Sequence, residues 1–464
     1  MIGFDGIEYA SQTDVGIRRS HNQDSLALLP AKDFEQWQQR GHVFVVADGM
    51  GAHAVGELAS KLASDSIPHV YSKHAQEGPV AALRKAFVEA NITIHTRGQQ
   101  NREFAGMGTT ATALVLRPEG VWIGHVGDSR AYRVRNGVIE QLSFDHSLVW
   151  ELARRQHKDP DDLIGVPTNV IVRSLGPEPL VHVDVEGPHP VRPGDYFVLC
   201  SDGLSGPVSD REIGAVVSVL PPEEACGFLI HLANLQGGPD NITCLIVRVA
   251  GTAEAEAPPA AEAPVPAPLP KRVSTFLQRA HWPYVTLFLG IFFAMLAIYL
   301  NQNDLPFSLF AFLVGALSLS AGLVGLKRQM TREKKEETDS LAMPEKPKAY
   351  RKVPCAIDES FLARLESAAL SLEQRIRDKN WDADWDGAHQ HLETAKQALA
   401  QARWNDAFAA RCRAMLLLMA AIQSQRVREE VFKPLWDQVG RKTPAATSPA
   451  PAAKGPEPAG GAQK

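Results

Sequence analysis

The sequence is poor in cysteine and has little net charge. Its 464 residues include five cysteines, Cys200, Cys226, Cys244, Cys355 and Cys412, all far apart and with no C-x-x-C pair. A disulfide framework and a thiolate zinc site are therefore excluded, and a reducing compartment is the default. The net charge of −5 leaves no basic surplus, so no nucleic-acid partner is expected. The opening Met1-Ile2-Gly3-Phe4-Asp5 carries neither a basic nor an apolar leader region, and no cleaved signal peptide is expected.

What is present is length and apolar content. The chain is 45% hydrophobic and long enough for two or three units of roughly 150 residues. Residues 1–250 alternate short runs rich in Val, Ile and aromatics (43–47, 121–126, 196–200, 242–249) with Ala/Leu-rich stretches of helical spacing (56–70, 80–96). Strands come in runs as often as they alternate with helices, which predicts an α+β fold. Residues 251–281 open as a Pro/Ala-rich linker. Two uncharged apolar stretches, 282–300 and 305–326, predict a transmembrane hairpin over 282–326. Basic residues flank its outer ends and none lies in the tight loop, which predicts an inner-membrane protein with both soluble parts in the cytosol. Small residues four apart, Ala311/Gly315 and Ser318/Gly322, permit close helix packing within the hairpin or in a dimer. Residues 327–356 read as a charged spacer and 357–440 as helical. In the first of these helices Phe361, Leu362, Leu365, Ala369, Leu372 and Ile376 mark one face. The next two resemble a single tetratricopeptide-like hairpin, or a short bundle able to take a protein partner. Residues 441–464, rich in Pro, Ala and Gly, read as a disordered tail.

The chemistry lies in the first 250 residues. Four strand-like runs end beside an Asp followed by a small or turn residue: Asp48-Gly49, Asp128-Ser129, Asp202-Gly203 and Asp240-Asn241. Any one of them is a common turn. Together they place carboxylates at one edge of a sheet, where mutual repulsion calls for a cation. Hard oxygen donors with no nearby Cys or paired His select Mg²⁺ or Mn²⁺. Two such ions held roughly 3.5–4 Å apart suit displacement at phosphorus.

Residues 1–250 resemble the bacterial form of the metal-dependent protein phosphatase family PP2C (PPM). The run Asp14-Val15-Gly16-Ile17-Arg18-Arg19-Ser20-His21-Asn22-Gln23-Asp24 resembles the opening G-x-x-R-x-x-N-E-D. Ala47-Asp48-Gly49-Met50-Gly51-Ala52-His53, with Gly56-Glu57 and Ala59-Ser60, resembles A-D-G-M-G-G-H-x-x-G-E-x-A-S. Gly106-Met107-Gly108-Thr109-Thr110, Gly127-Asp128-Ser129-Arg130, Asp145-His146-Ser147, Ser201-Asp202-Gly203 and Gly238-Pro239-Asp240-Asn241 follow in order. The resemblance implies an α-β-β-α sandwich of two antiparallel sheets flanked by helices. It implies two metal ions, with Asp48 bridging them, the Gly49 carbonyl completing one site, and Asp202 and Asp240 binding the other. Asp128, with Asp202, matches a third, weaker ion site, and Asp24 is expected near a metal-bound water.

Arg19 would hold the substrate phosphate. His53 is a candidate general acid for the leaving oxygen, with His21 and His146 as weaker candidates; the alternatives are a His53 that only packs on the next helix and a metal-bound water that serves with no side chain. Residues 143–189 match a mobile flap. Gln23 stands where the family has Glu and Ala52 where it has Gly. The implied reaction is hydrolysis of phosphoserine and phosphothreonine by a metal-activated hydroxide. The implied substrates are a eukaryotic-like Ser/Thr kinase and its targets. The alternative is a catalytically weak scaffold that binds metal and recruits a membrane partner through its helical C-terminal region. The C-x₅-R loop of thiol phosphatases is absent.

Overall fold

The computed structural model describes residues 5–51, 54–250, 282–303, 306–324 and 348–427. The linker 251–281, the first part of the spacer to 347, and the tail 441–464 lie outside the described residues, as do Ala52 and His53.

Among the described residues two six-stranded sheets form the centre of the molecule, and every strand pairing in them is antiparallel. One sheet orders β2 (Asp24–Leu29), β3 (His42–Met50), β5 (Ala111–Arg117), β6 (Gly120–Val126) and β9 (Asp184–His189), with β4 (Gly108–Thr109) paired to β3. The other orders β1 (Ile7–Asp14), β11 (Ile242–Val249), β10 (Tyr196–Cys200), β7 (Arg130–Arg135), β8 (Val138–Gln141) and β12 (Arg351–Pro354).

Helix α1 (Phe34–Gln39) leads into β3, and the alternation within β3 explains the layering. Val43, Val45 and Ala47 face helices α2 (Ala54–His74) and α3 (Pro79–Gln100), whereas Phe44 and Val46 join Phe197, Leu199, Leu245 and Val247 between the sheets. Both faces of the strand are buried, so it reads as an unbroken apolar run rather than an alternating one. The outer face of the second sheet, with Tyr132, Val198 and Ile246, packs on α6 (Asp210–Val219) and α7 (Pro222–Leu235). The fold is thus two antiparallel sheets sandwiched between helices.

The apolar cluster on that outer face does not stop at the sheet's own helices. It continues into helices Glu359–Asp378, Trp385–Ala400 and Trp404–Val427 through Phe361, Leu365, Leu372, Phe408, Met415 and Met419. The predicted face Phe361, Leu362, Leu365, Ala369, Leu372 and Ile376 is buried in this cluster. Ion pairs Arg413–Glu224 and Arg211–Asp358, both at 2.7 Å, span the same boundary.

One expectation is corrected. Among the described residues no helix is long and apolar enough to cross a membrane. The transmembrane hairpin, and the inner-membrane location with cytosol-facing parts that rested on it, are not supported. The two segments do pack on each other: a Cβ on Gly290 would lie 2.6 Å from Leu319, and one on Gly315 would lie 3.0 Å from Ala294.

Candidate functional site

Five carboxylates from both sheets meet at one end of the sandwich. Asp24 opens β2 and stands directly across from Asp48 on β3. Asp128 follows β6, Asp202 opens the short helix α5 (Asp202–Ser205) after β10, and Asp240 precedes β11. Each acid is held through its backbone or a polar neighbour. The Asp48 carbonyl accepts from Thr110 N–H and Thr109 Oγ1, both at 2.8 Å, and its own N–H donates to Thr110 Oγ1 at 3.0 Å. Asp24 Oδ2 accepts from Ser201 Oγ and Thr243 Oγ1, both at 2.7 Å. Asn241 ties the entrance together by donating to the carbonyls of Val15 and His21 and accepting from Gln23 N–H, all at 2.8 Å.

Two glycines let these segments approach. A Cβ on Gly49 would sit 2.1 Å from the Gly56 carbonyl oxygen, and one on Gly203 would sit 1.9 Å from that of Asn241. Substituting Gly203→Ala should therefore destabilise the protein by about 3 kcal/mol by overpacking. Thermal melting checks this; a melting point within about 2 °C of the parent would remove Gly203 from this account.

The electrostatics are those of crowded acids without compensation. Burial, and then the charges of Asp24, Asp202, Asp128 and Asp240, push the Asp48 carboxyl well above its usual range. Burial raises Asp24 to about 7, helped by Asp202 and Asp240 and opposed by the Thr243 and Ser201 hydrogen bonds. Burial, Asp202 and Asp145 raise Asp128 to about 8. Burial and Asp240 raise Asp202, which shares a hydrogen bond with Asp48. Asp24 Oδ1, Asp128 Oδ1 and Asp202 Oδ1 are buried without a hydrogen-bond partner. Among the described residues no three His, Cys, Asp or Glu side chains are drawn into a closed metal cage. The acids form an open group, and their orphaned hard oxygens fit divalent ions of the Mg²⁺ and Mn²⁺ kind.

Arg19 lies at the rim, half exposed, with Nη2 at 2.7 Å from Asp240 Oδ2. Gln23 works through its backbone: its carbonyl accepts from Gly49 N–H at 3.0 Å and Ser60 Oγ at 2.6 Å. Its side-chain amide reaches toward the Gly51 carbonyl at 3.4 Å. His53, the candidate general acid, lies outside the described residues. His21 pairs its Nδ1 with Ser20 Oγ at 2.8 Å.

His146 is occupied on both ring nitrogens. Gly127 N–H donates to Nδ1 at 2.9 Å, so Nε2 carries the proton and faces Asp184 Oδ2 at 2.9 Å. Burial lowers the pKa of His146, and a buried ring bonded on both sides is not poised to protonate a leaving group. Its place is to hold the Gly127-Asp128 turn. Residue reading missed this His146–Asp184 pair, as it missed Ser201 and Thr243 on Asp24. The Asp145-His146-Ser147 and Ser201-Asp202-Gly203 motifs carried the signal for His146 and Ser201.

Buried carboxylates with unpartnered oxygens, converging at one end of the two sheets, fit a metal-dependent hydrolase. The model for protein phosphatase 2C matches residues 17–226. The chain is 36% identical over 242 residues to the serine/threonine phosphatase stp of Listeria monocytogenes serovar 1/2a, covering 51% of this chain and 93% of that protein. It is 32% identical over 246 residues to the serine/threonine protein phosphatase PstP of Mycobacterium tuberculosis, covering 52% of this chain and 45% of that protein. A crystal structure of the PstP catalytic domain in complex with two manganese ions is 31% identical, with a TM-score of 0.44, over 53% of this chain and 99% of that one. The chain belongs to the protein phosphatase 2C family, and the enzyme is a phosphoprotein phosphatase.

Proposed function

We propose that the protein hydrolyses phosphoserine and phosphothreonine in proteins, with Mn²⁺ or Mg²⁺ at the acidic cluster, and that it opposes a Ser/Thr protein kinase. The observation that carries this reading is the set of buried, unpartnered carboxylate oxygens on Asp24, Asp128 and Asp202 beside Asp48, inside a phosphatase family fold. Asp48, the Gly49 carbonyl, Asp202 and Asp240 would hold two ions, and Asp128 with Asp202 a third. When bound, such ions supply charge neutralisation for the phosphoryl group and activation of water at neutral pH. Asp24, braced by Ser201 and Thr243, keeps one oxygen aimed into the cluster.

Arg19 orients the substrate. Its guanidinium is always charged, and a phosphoryl group competes with Asp240 for its donors. Arg19→Ala should raise KM for a phosphothreonine peptide about 10–100-fold, the loss expected for hydrogen bonds to a charged group. The founding experiment is phosphate release from phosphoserine, phosphothreonine and phosphotyrosine peptides by the full chain, with Mn²⁺, with Mg²⁺ and with chelator. Metal-dependent release from the first two supports the reading. A folded protein that releases no phosphate with either ion overturns it.

A further inference from the structure

The segment 350–355 lies far along the chain from the acids, yet it is built into the phosphatase fold. Strand β12 pairs with β8 in register Arg351↔Gln141 to Pro354↔Val138. The pairing is extended at both ends, by Tyr350 N–H to the Gln141 carbonyl and Cys355 N–H to the Gly137 carbonyl, both 2.8 Å. Cys355 is buried against α6 at Gly214, where any Cβ would meet its Cβ at 2.8 Å. An edge strand that docks through a glycine-only contact is a specific fit rather than a chance crossing.

Two side chains at the start of this strand reach the flap. The flap's apolar cluster consists of Phe144, Val149 and Trp150 with Leu163 and Val166, and Tyr350 packs into it, its ring 5.4 Å from Phe144. The Tyr350 hydroxyl donates to Glu186 on β9. Arg351 lies with its guanidinium 5.5 Å from the Trp150 ring, in α4 (Leu148–Gln156), and 3.1 Å from both Asp159 and Asp161 beyond that helix. Its other nitrogen lies 3.6 Å from Asp210, which also accepts from Tyr132 and pairs with Arg130. Arg130 in turn holds Asp145 at 2.8 Å.

The flap is rooted beside the acids. Its first root is His146, bonded to Gly127 next to Asp128; its second is Leu175, bridged to Thr109, whose hydroxyl donates to the Asp48 carbonyl.

We propose that residues 350–355 form an intrachain strap that sets the position of flap residues 147–175 relative to the acidic cluster. Arg351 and Tyr350 are its positioning residues, and access of phosphoprotein substrates depends on the C-terminal half of the chain. This rests on the phosphatase reading for its consequence, but not for the strap itself. Arg351 stacks on one part of the flap and forks onto another, a task that planar geometry suits and a lysine ammonium does not. A small phosphate ester needs only the acids and Arg19, whereas a phosphoprotein must also pass the flap.

The test uses the full chain with Arg351→Ala, Arg351→Lys and Tyr350→Phe. Hydrogen–deuterium exchange, without metal or substrate, should quicken about tenfold across 148–163 in Arg351→Ala, and less in the other two, while β10 and α7 keep their protection. KM for a phosphothreonine peptide should rise several-fold in Arg351→Ala, with kcat for 4-nitrophenyl phosphate within about twofold of the parent. Unchanged flap exchange in Arg351→Ala overturns the strap. So does exchange that rises equally in β10 and α7, which would make Arg351 merely structural. Should Arg351→Ala fail to fold, Tyr350→Phe decides by the same exchange measurement. A parent chain that hydrolyses no phosphopeptide overturns the phosphatase reading instead, and the exchange arm still judges the strap.

Discussion

Asp48→Asn is expected to fold and to lose at least about 10³-fold in kcat/KM, or about 4 kcal/mol of transition-state stabilisation. The substitution keeps the shape of the side chain, and the backbone bonds to Thr109 and Thr110 remain available. It removes a charge that stands across the strand pair from Asp24 and beside Asp202, Asp128 and Asp240. The neutral amide relieves repulsion, so the metal-free variant should melt above the metal-free parent. Loss of activity accompanied by gain of stability is the signature of a residue kept for ion binding rather than for folding. Phosphate release and calorimetry on chelated samples measure the two sides. Activity within tenfold of the parent would remove Asp48 from the ion-binding set.

The second large effect is a fall in the stability of the chelated protein as pH rises. Folding lifts Asp24 to about 7 and Asp128 to about 8, from an ordinary value of 3.8. Between pH 3.8 and about 8 the folded chain therefore holds more protons than the unfolded chain, and unfolding releases them. Stability must then decline as pH rises through that window, the reverse of the behaviour of salt-bridged carboxylates. We expect a loss of about 6 kcal/mol between pH 5 and pH 8, seen as a melting-point drop of about 12–24 °C. Adding Mn²⁺ replaces the protons with a cation, so its stabilisation should be small at pH 5 and large at pH 8. A metal-free melting point that climbs over this range would show that the carboxylates are not buried together.

These two predictions depend on residues that were readable at different levels. Asp48-Gly49 and Asp202-Gly203 stand out because an acid at the end of an apolar run, followed by glycine, is a local pattern. The structure supplies the reason for each glycine: a carbonyl of Gly56 or Asn241 occupies the place of its Cβ. Ser201 and Thr243 were not legible as supports of Asp24, since nothing local marks hydroxyls that meet a carboxylate 177 and 219 residues away. His146 was read as a candidate acid because imidazole chemistry suggests it. Burial and bonds on both nitrogens give it a supporting place instead. The apolar stretches 282–300 and 305–326 show the limit of composition alone. Hydropathy predicted membrane spans, and the described residues contain no helix that satisfies length and apolarity together.

By itself the sequence determined an α+β fold, through apolar strand-like runs and helices of regular apolar spacing, while the layered sandwich followed from its resemblance to the phosphatase family. It also determined the identity of the acids, because they stand in short motifs whose residues lie within a few positions of one another. Only the tertiary structure decided what surrounds those acids. The pairing of Asp24 with Asp48, the bracing of the Asp128 turn by His146 and Asp184, and the docking of Tyr350 and Arg351 on Phe144 and Trp150 all join segments distant in sequence. Such contacts arise from which surfaces remain to be buried once the local elements have formed, and no local pattern encodes that choice.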